Sequence, residues 1–170
     1  MATTDAIAIR RCVQTELPAV LAIINDGAQA YRGVIPGDRW HDPYMAMPDL
    51  LAEVERGVEF WGAETGGSLV GVMGIQDKGP VALIRHAYVG TAQQRKGVGS
   101  RLLHHVEGQK DKPILIGTWA DASWAIDFYR RNGYSVVAPA DKDRLLRTYW
   151  SIPQRQIETS VVLADRRWLG

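Results

Sequence analysis

A chain of 170 residues falls within the size of one domain, roughly 100–200 residues, and can bury a core without disulfides. Lys+Arg 20 against Asp+Glu 19 leaves a net charge of +1, which argues against broad electrostatic binding of nucleic acid or an anionic membrane. A single cysteine, Cys12, excludes an internal disulfide and a cysteine-based metal cluster, and the four histidines have no ligand spacing, so no metal is expected.

The first twelve residues, "MATTDAIAIRRC", lack a basic segment followed by an apolar one, and no apolar run approaches ~18 residues. A cytoplasmic chain without a membrane span is expected. "AIAIRRCV" (Ala6–Val13) alternates partly and predicts a strand. In "TELPAVLAIINDG", Thr15 is placed to cap a helix, Pro18 suits its first turn, Leu17, Val20, Leu21 and Ile24 form a stripe, and Gly27 is its expected stop. The segment from Asn25 to Met45 is rich in aromatics, Gly and Pro and reads as irregular. "MPDLLAEVERG" is a short helix with Gly57 beyond its end.

"VEFWGAE" and "SLVGVMGI" are strands joined by "TGG", a glycine pair suited to a hairpin turn, and "VALIRHAYV" (Val81–Val89) is a third. "GVGSRLLHHVE" places Val98, Leu102, Leu103 and Val106 on one helical face. "PILIGTW" has the continuous apolar run of a strand buried on both faces. "DASWAIDFYRRNGY" is a helix with Asp121 as expected cap and Asn132-Gly133 as stop; "YSVVA", "RLLRTYW" and "IETSVVL" read as strands. This order gives an α/β mixed sheet, mostly antiparallel, with helices on both faces.

Glycines at a helix start admit two readings, a plain strand–helix connector or a seat for an anion. The seat is physically apt, because the first turn of a helix carries unpaired N–H groups and a partial positive charge, and no Cβ blocks approach. "QRKGVG" (Gln94–Gly99) is neither a Walker loop nor a dinucleotide fingerprint.

Taken with "AIDFYRRNGY" downstream, "HAYVGTAQQRKGVGSRLLHHVE" resembles the acetyl-CoA signature of the GNAT superfamily of acyl-CoA-dependent N-acyltransferases. The resemblance implies a GNAT fold across one domain, residues 1–170, with acetyl-CoA as co-substrate. By match, Gln94, Arg95, Lys96, Gly97, Val98, Gly99 and Ser100 hold the pyrophosphate. Ala87, Tyr88 and Val89 lie along the pantetheine arm, Phe128 lies against it, and Tyr129 is the general acid that protonates the leaving thiolate.

The expected activity is transfer of the acetyl group to a primary amine of a small molecule or peptide by direct attack. Leu83 and Arg85 occupy the positions where the family often carries a base, and period-2 alternation turns His86 to the opposite face unless a bulge intervenes. Ordered water or an acid such as Glu59, Glu64 or Asp121 stays open as the base, and a non-catalytic acyl-CoA-binding domain is the rival reading. Tyr31, Arg32 and Arg85 are the candidate acceptor contacts, with Trp40 and Tyr44 either beside them or in the core. The tail "RTYWSIPQRQIETSVVL" resembles family tails that pair between subunits, which leaves a homodimer open.

Overall fold

The computed structural model describes residues 6–94 and 96–170. Its elements run β1 (Ala8–Arg11), α1 (Leu17–Gly27), α2 (Met47–Glu55), β2 (Val58–Thr65), β3 (Ser68–Asp77), β4 (Ala82–Val89), α3 (Val98–Glu107), β5 (Ile114–Trp119), α4 (Ser123–Arg131), β6 (Ser135–Val136), α5 (Pro139–Tyr149), α6 (Gln154–Glu158) and β7 (Ser160–Ala164). The strands form one seven-stranded sheet in the order β1-β2-β3-β4-β5-β7-β6. Every neighbouring pair is antiparallel except β4 with β5, so the mixed, mostly antiparallel sheet is as expected.

Alternation along the strands sorts side chains to the two faces. Met73, Ile75, Ala82, Ile84, Ile114, Ile116 and Leu163 pack with Val98, Leu102, Leu103 and Val106 of α3 and with Ala125 and Tyr129 of α4. On the other face α1 and α2 cover Val58, Phe60 and Val72, while α5 and α6 cover Leu83, Leu115 and Val162. No helix among the described residues is long and apolar enough to cross a membrane.

The C-terminal third departs from the strand expectations. "RLLRTYW" lies in α5, which starts with Pro139 in its first turn, and Leu145 and Leu146 are its buried face. Gln154–Glu158 is a further helix, so the last strand begins only at Ser160, and "YSVVA" contributes just two strand residues. β7 enters between β5 and β6, and both of its edges are occupied within the chain. β6 covers only Leu163 and Ala164 of that strand, whereas β5 pairs with it along its whole length.

Two cap expectations also fail. Glu16, in a preceding 3₁₀ turn, stands at the N-cap of α1, and Ala122 stands at that of α4, so neither Thr15 nor Asp121 caps its helix. α1 does end at Gly27 as expected, but not through a left-handed residue: Gly27 keeps φ −64° and leads directly into a 3₁₀ turn, Ala28–Tyr31. Its lack of a side chain answers to packing, since a Cβ there would lie 2.9 Å from the Cβ of Tyr88.

β4 departs from regular pairing on both edges. β5 pairs with it only from Ala82 to Ile84, so among the described residues the edge of β4 from Arg85 to Val89 has no strand beside it. On its other edge, Arg85 faces Gly74 and Tyr88 faces Val72, three steps against two. His86 takes φ +55° at that bulge, a conformation rare outside glycine.

Candidate active site

The opening between β4 and β5 holds two cavities with a common wall of Tyr31, Ala87, Tyr88 and Tyr129. The larger, about 620 Å³, is bounded by the end of β4, the glycine turn and α4. It includes Gly97, Val98, Gly99, Ser100, Gln94, Val89 and Phe128, so most of the residues matched to the donor lie around one cleft. Lys96 is exposed beside it, and Arg95 lies outside the described residues. Gln94 donates its side-chain amide to the Val89 carbonyl at 3.3 Å, bracing the turn against the strand end.

The two glycines serve different needs. Gly97 is the N-cap of α3 with φ +77°, a left-handed conformation that glycine adopts without a Cβ clash. Gly99 sits inside the first turn, where a Cβ would lie 3.2 Å from Cζ of Phe128. Together they leave the helix N-terminus open with α4 close against it. An anion is favoured there, the free edge of β4 offers N–H and C=O groups to an extended amide chain, and the volume lies within the usual 300–1,000 Å³ of ligand sites. The residues present thus fit an acyl-CoA, whose phosphates the N-terminus of α3 would hold and whose pantetheine the edge of β4 would pair with.

α4 brings two further side chains to the cleft that were not among the site candidates, Trp124 and Arg131. They lie at four before and three after Phe128, the spacing of one helical stripe, which is the signal that identifies them. Trp124 stays 42% exposed and meets the ring of Tyr31 at 5.1 Å across the cleft.

The smaller cavity, about 160 Å³, lies on the other side of the common wall. Arg85 and His86 both line it, and the bulge puts their side chains on the same side of the sheet, where both meet Glu53. His86 Nε2 is 3.1 Å from Glu53 Oε2 of α2, and Arg85 Nε is 3.4 Å from the same oxygen. Burial opposes ionisation of Glu53, but the His86 hydrogen bond and the charges of Arg85, His86 and Arg56 outweigh it and hold the carboxyl below its usual range. A carboxylate on Nε2 fixes the neutral ring with its proton on that nitrogen and leaves Nδ1 as the acceptor. Glu53 is a residue the sequence reading did not single out.

Tyrosines make up much of the remaining wall. Tyr88 meets Tyr31 and Tyr44 edge-on at 6.2 and 6.1 Å. Burial raises the phenols of Tyr31, Tyr44, Tyr88 and Tyr129, the last also through Tyr31, so all four stay protonated at neutral pH. Tyr44 therefore stands at the cavity, whereas Trp40 does not line it.

Other sequence candidates lie elsewhere. Arg32 bonds Asp42 at 2.9 Å and stacks over Trp40, outside the lining of both cavities. Glu64 is held by Arg10 at 2.6 Å, Glu59 lies 3.9 Å from both Arg11 and Lys110, and Asp121 is exposed; none borders either cavity.

This architecture is that of the acyl-CoA N-acyltransferases. Residues 56–136, which contain both motifs, match the acetyltransferase (GNAT) domain family model, so the resemblance read from those motifs holds over that stretch. A GNAT-family acetyltransferase from Staphylococcus aureus Mu50 superposes with a TM-score of 0.70 at 19% identity, over 94% of this chain and 98% of the other. The PaiA N-acetyltransferase of Thermoplasma acidophilum, solved with coenzyme A, gives 0.71 at 18% over the same shares. The ribosomal-protein-S18-alanine N-acetyltransferase of Escherichia coli gives 0.67 at 15%, over 97% and 96%. At these identities the likeness is one of fold; no curated protein matches the sequence.

Proposed function

We propose that residues 1–170 form one acetyl-CoA-dependent N-acetyltransferase domain that acts on a primary amine of a small molecule. The domain match supports acyl transfer in general, and structures of similar fold hold coenzyme A or acetyl-CoA. The observation that carries the finer reading is the position of Tyr129: a buried, neutral phenol on the wall common to both cavities.

In this reading the thioester reaches that wall from the larger cavity and the amine from the smaller. His86 accepts the proton of the attacking amine while Glu53 orients the ring and balances the imidazolium charge, the same division of labour as in a base with a carboxylate behind it. The new N–C bond forms as the C–S bond breaks, and Tyr129 supplies the proton taken up by sulfur. The bulge favours this over a non-catalytic acyl-CoA-binding domain, because it returns an imidazole to a strand whose usual base positions hold Leu83 and Arg85.

Thiol release from acetyl-CoA over a panel of primary amines tests the activity. Tyr129→Phe is expected to lower kcat by about 10²-fold or more without weakening acetyl-CoA binding. Unchanged turnover in that variant would remove Tyr129 from the mechanism.

A further inference from the structure

The smaller cavity limits what the amine can be. Among the described residues its lining contains no Asp or Glu, and Arg85 is its one Lys or Arg. Behind the lining, one carboxylate, Glu53, faces two guanidiniums, Arg85 at 3.4 Å and Arg56 at 3.6 Å. Arg56 is largely exposed to solvent, so within the protein Glu53 is shared between Arg85 and His86 and does not engage the whole guanidinium of Arg85. Arg85 is also only partly engaged, since Nε meets Glu53 and Nη1 donates to Gln76 Oε1 at 3.3 Å, while Nη2 takes part in neither contact. Such an amino group is suited to a carboxylate oxygen.

Size and polarity narrow it further. Trp119, Trp150, Ile152 and Leu146 give the cavity an apolar side, and its 160 Å³ is close to the ~150 Å³ known to accept a benzene ring. A polyamine or an aminosugar would bring further ammonium groups to a cavity with no acid to receive them. Resting on the acetyltransferase reading above, we infer that the acceptor is a small free amino acid, its carboxylate held by Arg85, its side chain no larger than about one ring, and its amine between His86 and Tyr129.

The test compares acceptors that share a body and differ at one group: alanine with ethylamine, leucine with 3-methylbutylamine and leucinamide, phenylalanine with phenethylamine, and spermidine as a polycation. For at least one pair the wild type is expected to favour the amino acid in kcat/KM by about ten- to a hundred-fold, the worth of one charge-assisted hydrogen bond. Arg85→Gln should collapse that ratio towards one through KM, while Arg85→Lys keeps part of it. Both variants are checked for folding by an unchanged thermal response to acetyl-CoA. Preference for the decarboxylated amine, for leucinamide, for spermidine or for other amines outside the panel overturns the assignment, as does a ratio that Arg85→Gln leaves intact. Absence of turnover with every amine tried would instead overturn the acetyltransferase reading itself.

Discussion

His86 and Glu53 sit 33 residues apart in the chain and meet at 3.1 Å, so the pair exists only through the packing of α2 on β4. If His86 takes the proton, His86→Gln should lower kcat by roughly 10²- to 10⁴-fold with KM for acetyl-CoA unchanged, and Glu53→Gln should move the pH dependence of kcat rather than merely scale it. Steady-state kinetics across pH reads both, and parallel profiles for wild type and Glu53→Gln would leave Glu53 a structural role only. A second carboxylate governs acid stability. The Arg10 guanidinium bonds Glu16 and lowers its carboxyl from an ordinary 4.5 to about 2. A depressed value in the folded state means a contribution that is present in full above 4.5 and lost as pH falls towards 2. The melting temperature of the wild type should therefore drop more steeply over that interval than that of Glu16→Gln; equal slopes would show that the pair gives nothing to the folded state.

At the scale of elements, the glycine turn and α4 were legible because local backbone physics dictates them. A helix that starts at a left-handed residue calls for glycine, and the buried stripe of α3 announces itself by spacing. The two glycines should separate experimentally. Gly97→Ala forces a Cβ into φ +77°, at about 1–2 kcal/mol, so melting should fall by about 2–8 °C. Gly99→Val presses on Phe128 and is expected to raise the Kd for acetyl-CoA while the fold persists, as read by calorimetric titration. Unchanged affinity would reduce the turn to a plain connector. What could not be read locally was α5, where adjacent Leu145 and Leu146 in a β-prone segment mask a helical face that only the covering of Leu83 and Leu115 reveals. The bulge at His86 was equally hidden, because period-2 alternation carries no mark of where an extra residue enters.

For the molecule as a whole, element order was enough for a mixed sheet with two covered faces, while the place of β7 was not, since a strand that inserts between two others follows from which buried surfaces must meet. Linkage gives a test at the same scale. A ligand that binds only the folded state at a hundred times its Kd stabilises by about 2.7 kcal/mol, so saturating acetyl-CoA should raise the melting temperature by about 5–10 °C. No shift at any concentration would mean that the 620 Å³ cleft does not take an acyl-CoA.

The unpaired stretch of β4 has one more consequence. Exposed strand edges invite other chains to pair and aggregate, and proteins guard them with charges, prolines or short length. Here the bare edge runs through the middle of a sheet, at the bottom of a fissure between its two halves, with Trp124 and Tyr31 meeting across the opening. Enclosure within the sheet takes the place of those devices: the edge that would be a hazard on the outside of the molecule lies between the sheet's own two halves.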